Sequence, residues 1–219
     1  MSLKLINIGK KYKKNWVFKN IHLEFNLPGS YVIMGANGSG KSTLLQIISG
    51  QLIPSQGKTS LKIKSKKINI ENWYKHQVYA APYLDLIEEM FLDEFIDFYI
   101  KFKPLQKSLT KDDLIKIAYL EDSRKKQLKH FSSGMKQRLK LVLAWLTEAS
   151  IILLDEPCSN LDEKGVEWYK NMATRYSEGK LIIICSNNIE SEFFFCKNKL
   201  KMESISSNKS QNNNLFTNI

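Results

Sequence analysis

Several residue types are scarce in this 219-residue chain, and each shortage narrows what it can be. It has three cysteines, Cys158, Cys185 and Cys196. An odd number without metal-ligand spacing argues against a disulfide scaffold or a zinc site, and suggests reduced thiols, two of them in or near the core. Of 33 basic residues only Arg124, Arg138 and Arg175 are arginines. Surfaces evolved to read phosphate favour arginine's bidentate fork. The formal charge of +11 therefore reads as compositional bias before it reads as a nucleic-acid surface. Long apolar runs are missing too. Leu141–Leu146, Ile151–Leu154 and Leu181–Cys185 fall far short of the roughly 20 residues a membrane span needs. Met1–Lys4 leads into lysine-interrupted sequence with no signal-peptide core, so a cytoplasmic chain is expected. Hydrophobic residues at 43% and charged residues at 25% are ordinary globular usage, which excludes wholesale disorder. The length suits one domain, or one domain with a small subdomain.

Short strands are expected at Leu3–Ile8 and Trp16–Phe25, with a turn at Pro28-Gly29. Tyr31–Met34 reads as a buried strand, followed by a glycine-rich loop and a helix over Lys41–Ile48. Gln51–Gly57 is expected as loop, and Thr59–Ile70 as lysine-rich strands on an exposed sheet edge. From Phe91 the pattern turns helical. Phe91, Phe95, Phe98, Tyr99 and Phe102 recur at helical spacing and are expected in the core. Thr110 to Asp113 reads as a capping box. Further on come a helix from Ser132 to Leu146, a strand at Ile151–Leu154, a helix at Glu163–Tyr176 and a strand at Leu181–Cys185. Strands alternating with helices imply an α/β fold with a mostly parallel sheet. The last 16 residues, 204–219, are polar and low in complexity and read as a disordered tail.

The strongest chemical signal is Gly35-Ala36-Asn37-Gly38-Ser39-Gly40-Lys41-Ser42-Thr43, which matches G-x-x-x-x-G-K-[ST] between a strand and a helix. The glycines let the backbone curl so that its N–H groups point at phosphate oxygens, and the new helix aims its positive end there. Lys41 can reach the β- and γ-phosphates, and the Ser42 hydroxyl can ligate Mg²⁺. In the second signal, Ile151–Leu154 delivers Asp155 and Glu156 to the strand's C-terminal end, where open α/β sheets bind ligands. Asp155 suits Mg²⁺, and Glu156 can polarise a water. The third signal is Phe131-Ser132-Ser133-Gly134-Met135-Lys136-Gln137-Arg138, a small-residue turn that opens a helix able to meet an anion.

The order and spacing of these motifs resemble the nucleotide-binding subunit of ABC (ATP-binding cassette) transporters over about residues 3–203. Phe131–Met135 stands where that family has LSGGQ; Ser132 and Gly134 match, and Phe131, Ser133 and Met135 depart. Ser159-Asn160-Leu161-Asp162 resembles the D-loop. Tyr12 resembles the aromatic that stacks on adenine, with Trp16 and Phe18 as competitors. Two positions depart further. Tyr83 stands where a glutamine is expected and Asn187 where a histidine is expected. None of His22, His76 and His130 occupies that switch position. Asn187 can still donate an N–H to a γ-phosphate oxygen but cannot exchange a proton near neutral pH.

The resemblance implies a P-loop NTPase core with an antiparallel β subdomain and a helical insertion at about 91–146. It also implies an ATPase that uses ATP and Mg²⁺, with Lys41, Glu156 and Asn187 catalytic. Two cassettes, identical or different, would close head to tail on ATP, Ser132 and Gly134 of one facing the phosphate loop of the other. A separate membrane permease would ride on that motion, holding the chain at the inner face of the membrane. The groove near Tyr83–Phe102 is the expected docking surface. Two alternatives stay open: a nucleotide-gated dimerising module with weak hydrolysis, and a soluble ABC ATPase acting on nucleic acid. The second is disfavoured by the single cassette and the lack of a coiled-coil insertion.

Overall fold

The computed structural model describes residues 1–207 and 217–218. In chain order the elements are β1 (Ser2–Tyr12), β2 (Asn15–Asn26), β3 (Gly29–Met34), α1 (Lys41–Ile48), β4 (Gln56–Ile63), β5 (Lys66–Ile68) and β6 (Gln77–Ala80). There follow α2 (Leu92–Phe102), α3 (Lys111–Ile117), α4 (Ser133–Leu146), β7 (Ile151–Asp155), α5 (Glu163–Tyr176), β8 (Leu181–Ser186), α6 (Glu190–Phe193), β9 (Asn198–Lys201), α7 (Met202–Ser207) and β10 (Thr217–Asn218). Short 3₁₀ turns sit at Ile70–Lys75, Glu121–Ser123 and Leu128–His130.

Two sheets result. One is antiparallel, in the order β2-β1-β4-β5; the other runs β10-β9-β3-β8-β7-β6. In the second, β3, β6, β7, β8 and β9 pair parallel, and β10 joins antiparallel. Successive strand residues face opposite sides, and the cores divide accordingly. Val32, Ile152, Leu154, Ile182 and Ile184 pack against α2 to α5. Ile33, Ile151, Leu153, Leu181 and Ile183 pack against α1 and the inner face of the antiparallel sheet. Strands apolar on both faces are what a sheet covered on both sides requires. All three cysteines are buried, Cys196 included.

Some expectations need correction. The lysine-rich stretch forms a β4–β5 hairpin that already begins at Gln56, and β5 is the sheet's edge. The aromatic stripe is only partly core. The buried face of α2 is Leu92, Phe95 and Ile96, with Tyr99 packed against it. Phe91, Phe98 and Phe102 lie one step round the helix and are exposed. The capping box forms: Thr110 Oγ1 accepts from Asp113 N–H at 3.2 Å, and Asp113 Oδ2 accepts from Thr110 N–H at 2.9 Å. Of the expected tail, 204–207 continue α7 and Thr217–Asn218 pair with β9; the rest lies outside the described residues. No helix among the described residues is long and apolar enough to cross a membrane.

Candidate functional site

The C-terminal ends of β3, β7 and β8 lie side by side, because β8 pairs with both neighbours in register. That topology alone brings the loops after Met34, Asp155 and Ser186 together. After β3 the chain turns through Gly38 (φ 77) and Gly40 (φ 98), left-handed conformations that favour glycine. A Cβ on Gly40 would lie 2.6 Å from Val17 Cγ1. Ala36, Asn37 and Gly38 are exposed, Gly35 is buried, and Ser39, Ser42 and Thr43 are intermediate. The loop closes with Ser39 N–H donating to Ala36 O at 3.2 Å, and α1 starts at Lys41.

Lys41 is buried, and its ammonium donates to Gly35 O at 2.8 Å, Ala36 O at 3.1 Å and Asn187 Oδ1 at 2.5 Å. Asn187 turns its amide Nδ2 to Glu156 Oε1 at 2.8 Å. A continuous chain, Lys41–Asn187–Glu156, thus joins the phosphate-type loop to the carboxylates after β7. Glu156 has φ 44 and accepts from Ser159 Oγ at 3.4 Å. This φ re-aims its side chain away from that of Asp155, its neighbour on β7.

Asp155 is 1% exposed. Its Oδ2 accepts from the Tyr83 hydroxyl at 2.9 Å, whereas its buried Oδ1 has no hydrogen-bond partner. Burial pushes its pKa up, against the lowering effect of the Ser42 and Tyr83 hydroxyls. Burial also raises the Tyr83 phenol to about 12, so it remains a donor at neutral pH. Tyr83 in turn meets the hydroxyl of Tyr79. An unpartnered carboxylate oxygen beside a serine hydroxyl is a hard oxygen pair, which suits Mg²⁺ completed by substrate oxygens and water.

Ser132 caps α4 by accepting from Met135 N–H at 3.2 Å. A Cβ on Gly134 would meet Asn160 O at 3.1 Å. The contacts of these two residues thus run to α4 itself and to the Ser159–Asp162 loop. Gln137 donates to Pro157 O at 2.9 Å and ties α4 to the β7 loop. Of the three aromatic candidates, Phe18 is 3% exposed and packs beneath Gly40, so it belongs to the core. Tyr12 and Trp16 remain exposed on the β1–β2 hairpin, with Lys10 over the first ring and Lys11 and Lys19 over the second.

Sequence reading missed Tyr79 and Glu192, and gave no contact to Gln137 within the third signal. Nothing in the local pattern marks Tyr79. Glu192 leaves a faint trace, an acid beside the apolar run Phe193-Phe194-Phe195.

Comparison with known proteins adds independent findings. The family model described as ABC transporter matches residues 18–159. The uncharacterized ABC transporter ATP-binding protein YybJ of Bacillus subtilis is 33% identical over 207 residues, 91% of this chain and 92% of that protein. A solved ATP-binding subunit of an ABC transporter superposes with a TM-score of 0.79 at 22% identity, covering 92% of this chain and 85% of that one. The ATP-binding cassette MJ0796, in a dimeric post-hydrolysis state bound to ADP and Pi, gives 0.75 at 24%, covering 91% and 93%. These two show the fold. Together with the loop at Gly35–Thr43 and the paired carboxylates after β7, the family match and the B. subtilis relative place the chain: it belongs to the ABC transporter family and is an ATPase cassette of that type.

Proposed function

We propose that this cassette drives a separate membrane permease by binding and hydrolysing ATP between two cassettes. The observation that carries the reading is the Lys41–Asn187–Glu156 chain at the ends of β3 and β8 and just past β7. Gly35–Thr43 wraps the phosphates with backbone N–H groups. The Lys41 ammonium, held now by two loop carbonyls, exchanges them for β- and γ-phosphate oxygens. Ser42 and Asp155 would hold Mg²⁺, which neutralises developing phosphate charge when bound. Glu156 accepts the proton of the attacking water, and Asn187 orients it while donating to the γ-phosphate. Tyr12 or Trp16 stacks on the adenine.

Ser132 and Gly134 complete the site of the second cassette. ATP then favours the closed dimer because it binds that state better, and loss of the γ-phosphate reopens it. The permease docks on the face that exposes Ile87, Phe91, Phe98 and Phe102, and holds the chain at the inner membrane surface. The test is Mg²⁺-dependent ATP turnover in Lys41→Ala and Glu156→Gln. Both should abolish it, and wild-type turnover in either would refute the assignment.

One observation favours a second reading, a nucleotide-gated dimerising module with weak hydrolysis. The Glu156 oxygen that would take the proton is engaged by Asn187, a side chain that cannot relay it. Rapid single-turnover cleavage of ATP would exclude this reading, whereas ATP-dependent dimerisation with slow cleavage would establish it.

A further inference from the structure

One buried charge has no part in the chemistry above. Glu192 lies in α6 and is fully buried. Its Oε1 accepts from Cys158 N–H at 3.0 Å, and its Oε2 from the Ser186 hydroxyl at 2.5 Å. Ser186 Oγ also accepts from Ile189 N–H at 3.2 Å. The Glu192 carbonyl accepts from Tyr169 O–H at 2.7 Å, which anchors α6 to α5. Cys158 follows Glu156 by two residues, and Ser186 directly precedes Asn187. One carboxylate therefore ties together the two backbone segments that carry the ends of the Glu156–Asn187 hydrogen bond.

We propose that Glu192 is a positioning residue for ATP hydrolysis, locking the loop after β7 to the end of β8 so that Asn187 and Glu156 meet in working register. The proposal rests on the roles given to Glu156 and Asn187 above. Burying a carboxylate is costly, and the two hydrogen bonds to Glu192 offset only part of that cost. Cys158 N–H and Ser186 O–H both point in as donors, and an ionised carboxylate, which only accepts, satisfies both. A protonated carboxyl turns one of its two oxygens into a donor, so it can satisfy only one of the two in the present arrangement.

The titratable groups that act on Glu192 are Asp155 and Glu156 from β7 and its loop, Cys158 beyond them, Tyr169 of α5 and Cys185 of β8; Lys170 and Cys196 face Cys158 and Tyr169 in turn. Burial, with Glu156 and Asp155 adding to it, raises Glu192 to about 7. The lock therefore loosens as pH falls through neutrality.

The test uses the full chain, with steady-state and single-turnover ATP cleavage measured between pH 6 and 8. Wild-type kcat should fall on the acid side. E192Q presents an NH₂ to one of two donors, so its kcat should drop roughly ten- to a hundredfold, the scale of a small misplacement. Its KM for ATP should stay within about twofold, and its acid limb should vanish. S186A should move kcat the same way by less. Wild-type kcat in E192Q, or losses that track the unfolded fraction, would overturn the proposal. If E192Q does not fold, wild-type kcat and pH profile in S186A overturn it instead. E156Q separates the two readings: unchanged turnover there sinks the underlying assignment, whereas lost turnover there with E192Q unaffected sinks only the role of Glu192.

Discussion

The Tyr83 hydroxyl donates to Asp155 Oδ2 at 2.9 Å and leaves Asp155 Oδ1 buried without a hydrogen-bond partner. Tyr83 thus holds one oxygen of the Asp155 carboxylate in place. Outer partners of this kind orient a ligand and tune its metal. Tyr83→Phe should raise the Mg²⁺ concentration for half-maximal ATPase roughly tenfold, the low end for outer-shell losses. A Mg²⁺ titration at saturating ATP reads this directly, and an unchanged midpoint would remove Tyr83 from metal binding.

Asn187 holds Lys41 and Glu156 at once, so its removal should disturb both. Asn187→Ala should lower single-turnover cleavage by about 10²-fold, the scale of losing one acid–base or oxyanion partner. Asn187→His restores a group that titrates near neutrality and should raise the rate above wild type. A histidine variant as slow as the alanine variant would show that the local backbone, not the side chain's chemistry, limits turnover.

How much of this was legible follows from the range of the interactions. The phosphate-type loop was readable because glycine and lysine spacing act within nine residues. Asp155 and Glu156 were readable because an apolar strand delivers them to a sheet edge. The contacts around them were not. Tyr83 meets Asp155 across 72 positions, and Glu192 meets Cys158 across 34. No local period encodes such contacts. The exposed Phe98 and Phe102 misled for a different reason. Their spacing is helical, but the neighbouring face of Leu92, Phe95 and Ile96 won the core. Apolar period shows that a helix exists more reliably than which face is buried.

That exposed face yields a separate prediction. Phe102 is 64% exposed, so Phe102→Ser should shift unfolding by less than about 0.5 kcal/mol, the usual range for a surface change. ATPase activity of the isolated cassette should be unaffected. If this face receives the permease, co-purification of the membrane subunit should weaken. Full retention of the complex in a Phe98→Ser, Phe102→Ser double variant would place the docking surface elsewhere.

Gly38 and Gly40 separate two reasons for glycine. A Cβ at Gly38 meets nothing within 4 Å, so Gly38→Ala should cost only the left-handed backbone strain, about 1 kcal/mol. Gly40→Ala adds a clash with Val17 at 2.6 Å and with Phe18 at 3.2 Å. It should cost about 1–3 kcal/mol more by overpacking and displace the loop. Denaturant unfolding and binding of a fluorescent nucleotide should therefore show a mild defect at Gly38 and a severe one at Gly40. Equal defects would mean that conformation alone decides.

Glu192 gives the sharpest pH prediction, because its pKa moves the unusual way for a carboxylate. Its folded value of about 7 lies above the ordinary 4.5. Between those values the native state holds a proton that the unfolded state has lost. Glu192 therefore costs nothing below about pH 4.5, destabilises the fold progressively as pH rises, and reaches its full penalty above 7. A shift of that size corresponds to an upper bound of about 3–4 kcal/mol. Glu192→Gln should remove this dependence, so its stability relative to wild type should rise between pH 5 and pH 8. Urea unfolding at the two pH values measures the difference, and a constant difference would contradict the burial of the charge. A variant that gains stability at pH 8 while losing turnover would give the carboxylate its reason for being there. The fold tolerates a destabilising charge at neutral pH because that charge holds the Glu156 and Asn187 segments together.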